Sequence, residues 1–229
     1  MNGVELAPIW LSLRLAGITT AGLLLIGTPI AWWLARTSSR AKPLVEAVTA
    51  LPLVLPPTVL GFYLLVFLNP ESTLGNLWGQ LTGGGTLVFS FSGLVIASLL
   101  YSLPFAVQPL QAAFEAVGPD PLEAAATLGA SPLDRFLSVA SPMALRGYLV
   151  AAVLVFAHTL GEFGVVLMVG GNIPGRTRVL SIAIYEHVET IDYAAAQTLS
   201  LGLLAFSFLA LVFVYASNRN GLWAGGRQP

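Results

Sequence analysis

The chain has no cysteine, a single lysine and few charged residues of either sign. Without cysteine it can form no disulfide, no thiol nucleophile and no thiolate metal site. Charged residues make up 9% of its 229 residues, whereas a soluble domain carries about 25%. Hydrophobic residues make up 56%, and the mean hydropathy is +0.81. The composition therefore predicts an all-α integral membrane protein of the cell (inner or plasma) membrane, surrounded by lipid.

The few ionisable side chains also exclude several kinds of chemistry. The formal net charge is −1 and Lys42 is the only lysine, so no basic surface for nucleic acid is expected. The two histidines, His158 and His187, lie in different segments and form no cluster with acids of the kind that a membrane enzyme needs. We therefore predict no metal, no cofactor and no catalytic residue in this chain.

Five apolar segments are long enough to cross a membrane, for which a helix needs about 20 residues. Gly75, Gly79 and the run Gly83–Gly85 predict a loop between the second and third segments. We treat residues 1–229 as one transmembrane domain with spans at about residues 10–36, 46–69, 87–113, 144–169 and 194–217.

Basic residues predict which ends of these spans face the cytoplasm, where they are in excess. An outside N-terminus and a cytoplasmic C-terminus place seven basic residues inside and three outside. The inside set is Arg36, Arg40, Lys42, Arg135, Arg146, Arg219 and Arg227, and the outside set is Arg14, Arg176 and Arg178. The first five residues lack the basic segment of a cleavable signal peptide, so the first span is expected to be retained.

Residues 115–142 predict a polar helical hairpin between the third and fourth spans. Asp120 is expected to cap a first helix that Gly129 ends, and Ser131 to cap a second. Such a hairpin outside the membrane is typical of a surface that contacts another protein.

The spacing of residues in this hairpin resembles the EAA motif of ABC-importer permeases. Glu123-Ala124-Ala125 is followed by Gly129 six positions after the glutamate and by Pro142 nineteen positions after it. The resemblance implies a type I ABC-importer permease fold and coupling helices that bind a cytoplasmic ATPase subunit, present in two copies. No G-x-x-x-x-G-K-[ST] motif occurs in the chain, so ATP hydrolysis is expected on that partner. An ordinary loop of two alanine-rich helices is the alternative.

Three further segments resemble molybdate-transporter permeases, and sulfate and thiosulfate permeases share weaker versions of them. The segments are residues 51–61 (LPLVLPPTVLG), 160–164 (LGEFG) and 171–177 (GNIPGRT). This resemblance implies import of molybdate, delivered by an external (periplasmic or lipoprotein) solute-binding protein, through a homodimer of this chain. Sulfate, thiosulfate and tungstate stay open as substrates, because these oxyanions are alike and no residue distinguishes them.

Prolines and one acid within the predicted spans are candidate residues of the translocation path. Pro52, Pro56 and Pro57 remove backbone donors, so span two is expected to bend there and either to line the path or to form a static kink.

Glu162 lies inside span four and is expected to serve as a gate or interface residue, bonded to the backbone or to His158. Gly161 and Gly164 would let another helix approach closely at the same level. An ion-coupled secondary transporter is the alternative from a different class, supported by this single acid.

Arg176 and Arg178 lie in the external loop. They are expected either to meet an oxyanion or the acidic face of a binding protein, or to remain solvated. Residues 179–184 are apolar and are expected to form a surface helix that packs back against the spans.

Overall fold

The computed structural model describes residues 6–222, with side chains described for residues 6–216, and this part of the chain contains helices and no strands. The helices are α1 (Leu6–Arg36), α2 (Lys42–Val54), α3 (Pro57–Leu68), α4 (Thr73–Thr82), α5 (Phe91–Tyr101), α6 (Leu103–Val117), α7 (Asp120–Thr127), α8 (Pro132–Asp134), α9 (Ser141–Met143), α10 (Leu145–Gly161), α11 (Gly164–Gly170), α12 (Leu180–Glu189) and α13 (Tyr193–Leu222). A π-helical turn, Arg135–Ala140, joins α8 to α9, so that Pro132–Met143 is one continuous helix.

Some residues on which the signal-peptide and orientation predictions rest lie outside the described part of the chain. The first five residues and Arg227 lie outside the described residues, and so does the side chain of Arg219. The predicted orientation of the termini therefore stays a prediction.

Two helices, α1 and α13, are each long and apolar enough to cross a membrane alone. Three further pairs qualify only when the two members of each are counted together: α2 with α3, α5 with α6, and Pro132–Met143 with α10. Their members are bent by 111°, 42° and 69° respectively. The described chain thus offers up to five crossings by length and composition, and the five-span topology stays a prediction.

The predicted fourth span, residues 144–169, is interrupted in the structure. Helix α10 ends at Gly161, Glu162 has extended backbone with ψ 132°, and α11 begins at Gly164. A continuous helix was therefore the wrong expectation here. Gly161 and Gly164, on either side of Glu162, weaken the helix. The Glu162 carbonyl, which the break leaves without a helical partner, accepts a hydrogen bond from Ser181 Oγ.

The glycine-rich segment predicted as a loop is instead partly helix α4. The Ser72 side chain accepts a hydrogen bond from the Gly75 backbone and so starts the helix, and Gly83 ends it with a φ of +70°. This position in the helix accommodates only glycine, because a Cβ on Gly75 would lie 2.0 Å from the Asn69 carbonyl oxygen. Close packing, rather than loop formation, explains this glycine.

The main core lies where α1, α6 and α10 pack together around Phe114. Phe114 is 1% exposed, and its ring makes edge contacts with Trp32 of α1 at 5.2 Å and Tyr148 of α10 at 6.0 Å between centroids. A second cluster joins α3, α5 and α11 through Leu64, Ala97 and other buried apolar side chains. Helix α13 packs along α10 and α12 and leaves most of its described side chains exposed, as expected for a surface in contact with lipid.

Helices α6 and α10 approach each other closely at Gly147. A Cβ built on Gly147 would lie 2.3 Å from the Ala113 Cβ and 3.2 Å from the Pro109 carbonyl oxygen. By contrast, a Cβ on Gly17, inside α1, has no atom within 4 Å. The two positions provide a matched pair of helix glycines.

We expect Gly147→Ala and Gly17→Ala to change thermal stability in opposite directions. The first overpacks the α6–α10 contact and costs about 1–3 kcal/mol, which corresponds to a fall in Tm of about 2–4 °C per kcal/mol for a chain of this size. The second gains up to about 1 kcal/mol of helix propensity. Thermal unfolding of the two purified variants measures both shifts, and equal shifts in one direction would contradict this packing.

Candidate coupling loop and translocation path

The helical hairpin predicted at residues 115–142 is present. Its first helix, α7, begins one residue earlier than expected, at Asp120. The Pro119 carbonyl accepts hydrogen bonds from the backbone of Leu122 and Glu123, both at 3.0 Å. Asp120 lies inside α7 and makes no capping bond, so its predicted role as N-cap was wrong. Two prolines compete for the helix start, and Pro119 takes the cap position while Pro121 takes the first turn.

The turn between the two hairpin helices has the predicted chemistry. Gly129 has a φ of +87°, a conformation that glycine adopts without steric cost. The Ala130 backbone donates to the Ala125 carbonyl at 3.0 Å and closes α7. The Ser131 hydroxyl then accepts from the Asp134 backbone at 3.2 Å and starts the second helix. The turn therefore depends on residues that are close in sequence.

The outer face of the hairpin is exposed and largely apolar. Glu123 and Ala124 are exposed and Ala125 is half-buried. Leu128 at the turn is 89% exposed, and Leu133 and Leu137 on the second helix are also exposed. The Glu123 carboxylate has no hydrogen bond or ion pair within the described part of the chain. Pro142, the last residue of the motif, lies at the far end of the second helix, next to the bundle.

The inner face of the hairpin is held by the bundle. Leu122, in α7, and Ala140, in the second hairpin helix, are buried in the cluster around Phe114. The Phe136 ring contacts the Trp32 ring at 5.2 Å and the Phe114 ring at 5.9 Å. The hairpin thus presents one face outward and is fixed by the other.

A polar cluster that the sequence analysis missed connects α2 to α6 near the hairpin. The Lys42 ammonium lies 3.8 Å from Glu46 and 3.7 Å from Glu115, and the Gln111 amide donates to both carboxylates at 3.0 Å. The (i, i+4) pair Lys42–Glu46 was a visible signal, but the contact with α6 depends on the fold. Thr49 is the one buried residue of α2, and these polar bonds add to the packing of partly buried Val45 against the core.

The predicted bend in span two is a sharp break. Pro52 lies inside α2, which ends at Val54, and α3 restarts at Pro57 after Leu55 and Pro56 adopt extended ψ values of 136° and 135°. Each proline lacks a backbone donor, which explains why the helix cannot continue through this point.

Gly164 brings α11 into contact with this break. A Cβ on Gly164 would lie 2.8 Å from the Pro57 Cβ, and one on Gly61 would lie 2.8 Å from the Met168 Cβ. Gly161 differs, because a Cβ there meets no atom within 4 Å in the described residues. A close helix approach is thus seen at Gly164 and not at Gly161 within the described chain, and the gate role of both glycines stays a prediction.

Glu162 is buried between α5 and the α10–α11 break. It is 3% exposed, and Ser98 Oγ donates to its Oε2 at 2.9 Å. Its Oε1 is buried with no hydrogen-bond partner among the described residues.

The predicted bond between Glu162 and His158 is wrong. His158 Nδ1 instead lies 2.9 Å from the Ser102 hydroxyl, and its ring stacks on Phe105 at 4.1 Å. Helix α5 and the residue that follows it therefore supply separate hydroxyls to the two side chains.

The two candidate arginines of the loop that was predicted to be external have different surroundings. Arg178 Nε lies 3.1 Å from Glu186 Oε2 and donates to Asn172 Oδ1 at 2.8 Å, whereas Arg176 is exposed. Arg176 is therefore the more accessible of the two. The Tyr185 hydroxyl nearby donates to Glu189 at 2.6 Å, and this bond raises the pKa of Tyr185. Helix α12 packs back on the bundle through buried Ile182, which agrees with the predicted surface helix.

Comparison with known proteins places this geometry among transport proteins. The family model described as binding-protein-dependent transport system inner membrane component matches residues 27–220. The molybdenum transport system permease protein ModB of Azotobacter vinelandii is 59% identical over 215 residues, which cover 94% of this chain and 95% of the relative. The ModB protein of Escherichia coli strain K12 is 37% identical over 187 residues, which cover 81% of each chain.

Two solved structures share the fold at low sequence identity. A bacterial ABC transporter involved in the import of the acidic polysaccharide alginate aligns with a TM-score of 0.73 at 16% identity, over 96% of this chain and 79% of that one. The MetNI methionine ABC transporter, in an inward-facing conformation, aligns with a TM-score of 0.70 at 18% identity, over 94% of each chain. The architecture is therefore that of type I ABC-importer permeases.

We expect Ser98→Ala to destabilise the protein and Glu162→Gln to leave it nearly as stable as the wild type. Loss of the Ser98 donor leaves both buried carboxylate oxygens unbonded, at a cost of about 1–3 kcal/mol. Glutamine keeps an acceptor oxygen for Ser98 and carries no charge to desolvate. Thermal unfolding of the purified variants tests this, and a glutamine variant as unstable as Ser98→Ala would show that the charge itself is required.

Proposed function

The chain belongs to the family of binding-protein-dependent transport system inner membrane components, and on that premise we propose that it is the membrane-embedded subunit of an ATP-driven molybdate importer. The observation that carries this proposal is the 59% identity to a molybdenum transport permease along 94% of the chain. The LPLVLPPTVLG, LGEFG and GNIPGRT segments, which resemble molybdate permeases, lie within the aligned length. Discrimination among oxyanions is assigned mainly to the external binding protein.

In this proposal the hairpin is where a separate ATPase subunit binds. Ala124, Leu128 and Leu133 have exposed apolar side chains, whose burial against a partner is favourable. The unpaired Glu123 carboxylate can accept a charge-assisted hydrogen bond from that partner. Since the chain lacks a nucleotide-binding motif, it contributes no catalysis and transmits the motion of two ATPase copies. The hairpin side of the bundle, with the chain's C-terminus, then faces the cytoplasm.

The translocation path is proposed to lie between two copies of this chain. Gly161 and the start of α3 at Pro56, Pro57 and Thr58 are exposed in the single chain. Two such faces related by a two-fold axis would enclose a passage, which opens to alternate sides when the copies rock as rigid bodies. Buried Glu162 holds the break in α10–α11 beside this passage and does not itself bind the anion. Arg176 is the proposed external contact for the binding protein.

We expect uptake of radiolabelled molybdate in a knockout strain to be restored by this chain together with its ATPase and binding protein. Because hydrolysis drives transport, an ATPase variant that binds but does not hydrolyse ATP abolishes uptake, whereas a protonophore applied at constant ATP does not. Unlabelled tungstate and sulfate, added in excess as competitors, measure selectivity. Uptake that persists without hydrolysis and collapses with the proton gradient would show ion-coupled transport instead.

We expect Pro56→Ala combined with Pro57→Ala to abolish most uptake while the complex still assembles. Alanine restores backbone donors and lets α2 run on into α3, which removes the break that the path requires. Pro70→Ala, in an exposed turn at the end of α3, is the matched control. Full uptake by the double variant would mean that the break is a static kink outside the path.

A further inference from the structure

A large apolar groove lies between α1, the second hairpin helix and the start of α10. It has a volume of about 870 Å³, and its lining includes Leu25, Trp32, Leu133, Phe136 and Leu145. The Thr28 hydroxyl at its base already donates to the Leu24 carbonyl within α1. Three large side chains on its rim are well exposed: Leu25 (77%), Leu133 (66%) and Leu145 (59%). In water such a surface would be unfavourable, so an apolar group is expected to cover it.

The length of the groove is close to the thickness of one leaflet of a bilayer. The wall formed by α1 runs from Leu24 to Trp32, a rise of roughly 12 Å along a helix. One leaflet of the hydrocarbon core is about 15 Å thick, half of about 30 Å. Trp32, at the hairpin end, is of a residue type that is enriched at membrane–water interfaces. The groove is therefore long enough to hold much of one lipid acyl chain.

Three arginines are close in sequence to lining residues of the groove, and none of them is itself in the lining. The Arg36 guanidinium, one turn beyond Trp32, lies 5.7 Å from the Trp32 ring centroid. Arg135 precedes Phe136 and has a buried Nε with no hydrogen bond, and Arg146 follows Leu145 at the surface. Neither Arg135 nor Arg146 has an ion-pair partner within the described residues. The nearest acid in sequence, Asp134, accepts a hydrogen bond from Ser138 through Oδ1.

We propose that this groove binds one anionic phospholipid of the cytoplasmic leaflet, with an acyl chain along α1 and the phosphate among Arg36, Arg135 and Arg146. A second copy of this chain is a poorer occupant, because an apolar protein face would bury these arginines without neutralising them. The bound lipid would fill the space between the bundle and the second hairpin helix and so support the hairpin. The site goes beyond the transport function, although its assignment to the cytoplasmic leaflet rests on the proposed orientation.

A second groove of the same protein provides a comparison for the first. It is lined by apolar side chains of α10 and α13, including Phe156, Phe206 and Phe213, with a volume of about 540 Å³. None of its lining residues is basic, and none is adjacent in sequence to an arginine or lysine. Neither groove has a basic residue in its lining, and the two differ in that arginines are sequence neighbours of lining residues only at the first.

Native mass spectrometry of the intact transporter, titrated with phosphatidylglycerol or phosphatidylcholine, tests the proposal. We expect one phosphatidylglycerol per chain to bind with clear preference over phosphatidylcholine. Each of Arg135→Gln and Arg146→Gln should weaken binding of the anionic lipid about fivefold, as expected for a basic residue near an anionic headgroup. Arg176→Gln, at the external loop, is the charge-matched control and should leave binding unchanged.

Groove-filling variants separate the acyl-chain contact from the headgroup contact. Leu25→Trp, on the exposed rim, and Thr28→Phe, at the base, should reduce retention of both lipids, whereas Ala210→Phe in the second groove should not affect the preference. Co-purification of the ATPase shows which variants assemble. Position 25 is the one expected to tolerate substitution best, because Leu25 is exposed. Equal affinity for the two lipids, or arginine variants that bind as the wild type does, would overturn the proposal. So would a disulfide between two copies of a Leu25→Cys variant, because it would place a second chain in the groove.

Discussion

The attachment of the hairpin to the bundle through Phe114 is the contact on which the rest of this structure depends. Phe114 lies in α6, immediately before the hairpin, and its ring touches Trp32 of α1 and Tyr148 of α10. Phe136 of the second hairpin helix completes the cluster by contacting Trp32 and Phe114. Close-packed side chains transmit displacement because they have no free volume in which to absorb it. A force on the hairpin is therefore passed to three long helices at once.

The breaks in the helices lie at the opposite end of this rigid unit from the hairpin. A backbone group freed inside a membrane must find a partner in the protein or in water. The break before α3 is tolerated because Pro56 and Pro57 have no donors to satisfy. At the break before α11, the Ser181 hydroxyl donates to the Glu162 carbonyl and the Ser98 hydroxyl donates to the Glu162 carboxylate. The two breaks meet where Pro57 packs on Gly164.

Local features of this fold could be read from the sequence, and features that depend on distant contacts could not. The Gly129 turn and the Ser131 cap need only neighbouring residues, and they were predicted. Asp120 was misplaced by one residue because adjacent prolines compete for the same cap. The helical Gly75 and the broken helix at Glu162 escaped prediction because each depends on close packing or on a serine elsewhere in the chain. The roles of Glu123, Pro142 and Arg176 remain predictions that transport experiments can test.

The central claim is that the hairpin receives force from a separate ATPase. Because the chain contains no cysteine, a single Ala125→Cys variant can carry a photocrosslinker without a further background substitution. The account predicts capture of the ATPase from the cytoplasmic side, while a Leu77→Cys variant in α4, which is 52% exposed, captures none. Absence of the ATPase from the Ala125 adduct, or labelling of Ala125→Cys only from the outer face of the membrane, would contradict it.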